Sequence, residues 1–174
     1  ITRISTYMEL SCQIPLFLVD YLMEHESIEA VVELSSGAGE KLIGLYYLGS
    51  PRDIRLYGAE SSHFARQINR RFVEADKGFD VSIHPFDLRQ PDLSFVEENG
   101  HVLYFTSWSI MFVQNIGPDV FRSMVASADR VTGIHFELCG FQIAAVDFPV
   151  SRIQESEVNS KGWNINLCQR QSES

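Results

Sequence analysis

The chain reads as an α/β fold: a mostly parallel sheet with helices on both faces, three layers in all, entered through N-terminal helices. Two observations predict it. Short apolar runs bounded by turn residues alternate with stretches of helical spacing across residues 30–136. That alternation marks strand–helix–strand units with parallel strands. The first apolar run, AVVEL, also opens directly into Ser35-Ser36-Gly37-Ala38-Gly39. A glycine-rich turn between a buried strand and a helix is where such sheets hold ligands.

The elements follow in order. Residues 4–26 carry apolar residues at Ile4, Tyr7, Met8, Leu16, Val19, Leu22 and Met23, a helix face. Pro15 is expected to break this stretch into two helices. Ala30 to Leu34 reads as the first strand and Glu40 to Leu48 as a helix closed by Gly49-Ser50-Pro51, a stop signal. Ile54 to Ala59 is the second strand, ending at Glu60. Ser61 to Ala75 is a helix with Phe64, Ile68 and Phe72 on one face, and Ser61 or Ser62 can cap it. Phe79 to Ile83 is the third strand, Asp92 to Glu98 a short helix, and Val102 to Thr106 the fourth strand. Asp119 to Ala128 is a helix and Arg130 to Phe136 the fifth strand. Ser151 to Gly162 is polar and expected to be a loop; Trp163 to Cys168 is a terminal strand or the start of a helix. Phe17, Phe64 and Phe72 are expected in the core. The organisation predicted is an N-terminal helical segment, 1–29, and a sheet domain, 30–174, forming one compact domain.

The 174 residues are 45% hydrophobic and 21% charged, an ordinary globular composition. A net charge of -9 repels polyphosphate and argues against nucleic acid as a partner. Cys12, Cys139 and Cys168 are far apart and form no CxxC pair, so reduced thiols in a cytoplasmic protein are expected. No apolar run is long enough to span a bilayer, and no membrane partner is predicted. The start, Ile1-Thr2-Arg3, has neither signal-peptide regions nor an initiator Met, and a chain trimmed from something longer is expected.

The turn after the first strand separates three glycine motifs. The phosphate loop is absent. The dinucleotide pattern GxGxxG begins at Gly37 and Gly39 but meets Leu42 where its third glycine belongs. The pattern acid-x-Gly-x-Gly-x-Gly is matched by Glu33, Gly37 and Gly39, with Ser35 at its first glycine. Glu33, Glu60 and Asp87 are evenly spaced, each interval long enough for one strand–helix–strand step.

On these residues, Ala30 to Phe136 resembles the class I S-adenosylmethionine-dependent methyltransferases. The resemblance implies a three-layer Rossmann-like sandwich and S-adenosylmethionine as cofactor. It implies that Glu33, Ser35, Gly37 and Gly39 form the turn against the cofactor, with Thr106 at the exit of the fourth strand. Glu60 would bind the ribose hydroxyls and Asp87 the adenine amino group. Each acid also has a plain reading: Glu33 and Asp87 as turn acceptors, Glu60 as a helix-start acid. The chain departs from the family at Ser35. It also departs at Thr106-Ser107-Trp108-Ser109, which lacks the carboxylate or Asn-Pro-Pro motif common there, and in its short end after Leu138.

His135 and Glu137 follow the fifth strand and can serve as a base and its orienting acid, or as a hydrogen-bonded pair at the sheet edge. Trp108 and Phe112 can wall a substrate or pack in the core. His84 reads as structural or adenine-adjacent, and His25, His63 and His101 as surface residues. No His or Cys cluster has metal-ligand spacing, so no metal is expected. HFELCGFQI and GWNINL are similar to bacterial methyltransferases of sugars or other small hydroxylated molecules. The function expected is O-methylation of a small-molecule substrate. A non-catalytic binding module and an NAD-dependent oxidoreductase are the alternatives, and a homo-oligomer is compatible with either.

Overall fold

The computed structural model describes residues 7–96, 100–143 and 149–172. Five strands, β1 (Ile28–Leu34), β2 (Arg55–Glu60), β3 (Val81–Pro85), β4 (His101–Ser107) and β5 (Arg130–Phe136), form one sheet in the order β3-β2-β1-β4-β5. Every pairing is parallel. The sheet is therefore wholly parallel, and β1 and β4, at its centre, are buried on both faces.

Helices cover both faces. On one side α1 (Tyr7–Glu24) and α2 (Glu40–Leu48) pack Ile14, Leu18, Leu22, Leu42 and Leu45 over Val31, Leu103 and Phe105. α3 (His63–Ala75) connects β2 to β3. On the other side α4 (Asp119–Ala126) packs Val120, Phe121 and Met124 over Ala30, Val32, Val102 and Tyr104. α5 (Pro149–Lys161) and α6 (Leu167–Ser172) complete the chain. Among the described residues no helix is long and apolar enough to cross a membrane.

Three expectations change and one alternative is decided. α1 runs unbroken through Pro15. The ring occupies the contact with α2, where a Cβ on Gly44 would lie 2.7 Å from Pro15 Cγ. Packing of the two helices holds the turn that proline weakens. The expected loop at 151–162 is mostly α5, a polar helix whose Ser151 and Val158 are buried. For Trp163 to Cys168 the helix reading holds at its end: an irregular Asn-rich link leads into the start of α6 at Leu167, and the strand reading falls. No helix forms over the described part of 92–98.

Phe17, Phe64 and Phe72 are not core: they are 48%, 71% and 47% exposed. The buried residue of α3 is instead Asn69, which lies against the backbone of Gly39. A side chain on Gly39 would overlap it, so Gly39 is required there as well as by its φ of 82°. His101 is also buried rather than superficial, held by Ser27 at 2.9 Å and Thr132 at 2.9 Å. The fold further brings Cys139 and Cys168 together, with Cys168 Sγ 4.0 Å from the Cys139 carbonyl. Burial and Cys168 push the Cys139 thiol up to about 12, which keeps it protonated and unreactive.

The α1–α2 contact yields a test. Ala exceeds Gly in helix propensity by up to about 1 kcal/mol, yet Gly44→Ala drives a methyl into a rigid proline ring. A net loss of roughly 1–3 kcal/mol is expected. Urea unfolding measures it, and a gain in stability would refute the contact.

Candidate functional site

All five strands end on the same edge, so their exit turns converge there. β1 leads into the glycine turn. Ser35, Gly37 and Gly39 all adopt positive φ, at 60°, 55° and 82°. Ser35 thus holds the left-handed conformation that the glycine expected at this position would hold freely. Its Cβ costs roughly 1–2 kcal/mol there. The turn is closed by Ser36 N–H donating to the Ala59 carbonyl at 3.0 Å and Gly39 N–H to Ser36 at 2.9 Å.

Glu60 ends β2 and is buried. Gly37 N–H donates to Glu60 Oε2 at 2.8 Å, and Ser62 N–H to Oε1 at 2.7 Å. The carboxylate thus joins the exits of β1 and β2 and aims at the cleft between them. Each oxygen keeps a lone pair beyond these backbone bonds; the Ser61 hydroxyl approaches Oε1 at 3.2 Å. Ser62, the residue that caps α3, accepts from Ala65 N–H.

Glu33 lies on the α2 side of β1, almost wholly buried. Burial raises its carboxyl well above the usual carboxylate range, opposed by the nearby Lys41 ammonium and by the Leu42 N–H. Its Oε2 has no hydrogen-bond partner, nor do Ser36 Oγ and Ser107 Oγ. These orphaned atoms sit at the exits of β1 and β4. Leu42 is fully buried, and a Cβ on Gly58 would meet it at 3.3 Å. The close helix–strand approach is made by a glycine on β2. A dinucleotide site would place that glycine on the helix.

A cleft of about 370 Å³ runs along this edge, lined among others by Ser35, Glu60, Asp87, Ser107, Trp108 and Phe112. Asp87 is exposed and forms a turn, its Oδ1 accepting from Arg89 N–H at 2.9 Å. Arg89 also lines the cleft, as does Ser109. Neither carries a sequence pattern that would have singled it out.

Thr106, His135 and Glu137 meet at the far end, at the exits of β4 and β5. Thr106 Oγ1 and His135 Nδ1 are 2.9 Å apart. The pair fits two tautomers: Thr106 accepts from Nδ1–H and leaves the lone pair on Nε2, or it donates to the Nδ1 lone pair. Glu137 is directed instead at the loop after β4, so the structure does not show the expected base–acid pair. Its carboxylate takes the N–H groups of Ser109, Ile110 and Met111 at 3.0, 3.1 and 3.2 Å. That is the cap of the short 3-10 helix Ile110–Phe112 after β4. Burial raises Glu137 and lowers His135 to about 4.

The same loop is held from the other side by the chain end. Asn164 Nδ2 donates to the Val113 carbonyl at 2.8 Å, and Asn166 exchanges bonds with both backbone groups of Ile116 at 2.9 and 3.1 Å. Trp108 begins the loop with a strained φ of 56°. Phe112, 63% exposed, packs its edge on Trp163. Among the described residues no cluster of His, Cys, Asp or Glu could hold a metal ion.

The sequence matches no protein-family model and no curated protein. Solved structures do match. A geranyl diphosphate methyltransferase in complex with S-adenosylmethionine shares 18% identity over 74% of this chain and 48% of its own, with a TM-score of 0.54. The same enzyme type with geranyl diphosphate and sinefungin shares 18% identity over 72% and 43%, with a TM-score of 0.53. This chain spans less than half the length of those structures. The likeness is one of fold: the Rossmann-like sandwich of the class I methyltransferases.

Glu33 gives the site's prediction. A carboxyl raised in the folded state costs stability as pH rises above its unfolded value and costs nothing below it. Glu33→Gln removes the ionisable group. It is expected to raise the melting temperature at about pH 8 and to change it little below the ordinary carboxylate range. Thermal unfolding at both pH values decides; an equal effect at each would contradict a raised carboxyl.

Proposed function

We propose that this chain is a S-adenosylmethionine-dependent methyltransferase domain acting on an oxygen of a small molecule. The observation that carries the reading is the Glu60 carboxylate, fixed by Gly37 N–H and Ser62 N–H at the mouth of a positive-φ turn. The free lone pair on Oε2, with Oε1 once the rotatable Ser61 hydroxyl turns aside, suits the vicinal hydroxyls of a ribose. The orphaned Glu33 Oε2, Ser36 Oγ and Ser107 Oγ fit a polar, cationic group beyond the turn. Asp87, at the cleft rim, would take the adenine amino group. Ser35, Gly37 and Gly39 let the backbone come close to the ligand, and Thr106 orders the cleft's far wall.

When bound, S-adenosylmethionine supplies a methyl group activated by a sulfonium centre. The protein's part is to align an acceptor and exclude water. His135 is the proposed base. With its carboxyl-like value of about 4 it is unprotonated at neutral pH but a weak proton acceptor. Such a base suits a hydroxyl that is already acidic. Thr106 orients its ring through Nδ1. Small-molecule substrates and a cytoplasmic setting belong to the same proposal.

Two measurements test it. S-adenosylhomocysteine at 100 times its dissociation constant should add about 2.7 kcal/mol to stability, and Glu60→Ala should abolish the shift. A shift with NAD and none with S-adenosylhomocysteine would favour the oxidoreductase instead. His135→Ala should keep the cofactor shift while transfer of a labelled methyl group to a panel of phenols falls about a hundredfold or more. Loss of both would make His135 structural.

A further inference from the structure

A second cavity, of about 360 Å³, opens at the exit of β5 between α1 and the loop after β4. It is lined by Gln13, Ile14, Phe17, Trp108, His135, Phe136 and Glu137. Trp108 lines this cavity and the cofactor cleft alike. The strained backbone of Trp108 therefore sets a shared wall between them. Phe17 leans out from α1, and its ring meets Phe136 edge-on at 5.8 Å. The half-exposed Phe17, out of place as a core residue, has a function here as the cavity's outer face.

We infer that this cavity is the acceptor site and that it takes a flat, uncharged aromatic molecule bearing a hydroxyl group. The inference rests on the methyltransferase reading for the reaction, but not for the binding. Three aromatic side chains and Ile14 offer a slot for a ring. Among the described residues the lining carries no Lys or Arg. Its one carboxylate, Glu137, is already spent on three backbone N–H groups. Gln13, exposed at the mouth, is the polar group left to meet a neutral ligand. An anionic acceptor would enter a chain of net charge -9 with no cation to receive it. A diphosphate substrate, as named for the structural relatives, does not fit this lining.

Calorimetric titration with 2-naphthol and with 2-naphthyl phosphate tests the inference, with S-adenosylhomocysteine titrated separately. The 2-naphthol should bind saturably, and at least about tenfold more tightly than its phosphate ester. Phe17→Asp should weaken 2-naphthol by about tenfold or more and leave S-adenosylhomocysteine binding unchanged. Gln13→Arg, at an exposed position, should narrow or reverse the preference against the phosphate ester. Equal affinity for the two naphthyl compounds, or 2-naphthol binding indifferent to both variants, overturns the inference. Binding of 2-naphthol with this dependence but no binding of S-adenosylhomocysteine would sustain the cavity and sink the methyltransferase reading.

Discussion

All five strands run the same way, and that constraint organises the rest of the molecule. A parallel sheet must return each connection across a face, so every strand exit falls on one edge. Backbone groups at those exits have no ladder partners and need others. Here the need is met by carboxylates: Glu60 binds the turn after β1 and the start of α3, and Glu137 binds three N–H groups after β4. The edge that holds the candidate cleft is thus also the edge where the fold finishes its own hydrogen bonding.

The two carboxylates divide the edge between them. Glu60 keeps acceptor capacity on Oε2, which takes one bond, and lines the cleft. Glu137 is consumed by the loop it caps, and the chain end adds a second clamp through Asn164 and Asn166 on Val113 and Ile116. The loop from Trp108 to Ile116 is therefore fixed from both sides. A fixed loop can impose a costly φ on Trp108. The tripod of β5, the loop and the Asn-rich link positions one indole between two cavities.

Much of this was legible in the sequence. Short apolar runs mark β1 and β4 most clearly, because a strand buried on both faces needs a continuous apolar stretch. Glu33 near the end of β1, Glu60 at the end of β2 and Asp87 just past β3 stand out as acids at strand ends, and the parallel topology brings those ends to one edge. What sequence could not convey was partnership. Phe64, Ile68 and Phe72 share a helix face, yet Phe64 and Phe72 stay exposed while Asn69 is buried against Gly39. Spacing shows which residues share a face, not which face meets the sheet. Pro15 was read as a breaker because propensity is local, whereas its ring is accommodated by Gly44 on another helix. The link of Glu137 to the Ser109–Met111 amides crosses from β5 to the loop after β4, a pairing no local pattern encodes.

The remaining feature is the concentration of unfavourable choices around one turn. Glu33 is buried with an oxygen unpaired, Asn69 has neither amide atom paired, and Ser35 takes a left-handed φ. Each costs free energy, and each could be relieved by a residue of similar size. They fall within a few residues of Gly37 or pack directly on that turn. A fold selected only for stability would fill these positions with glycine, leucine or a paired amide. Unpaired side-chain atoms beside this turn are instead what a polar ligand would satisfy on binding. The strain at Trp108 belongs to the same edge. The unfavourable choices thus gather along the β1–β2–β4 edge, the edge that also holds the candidate cleft.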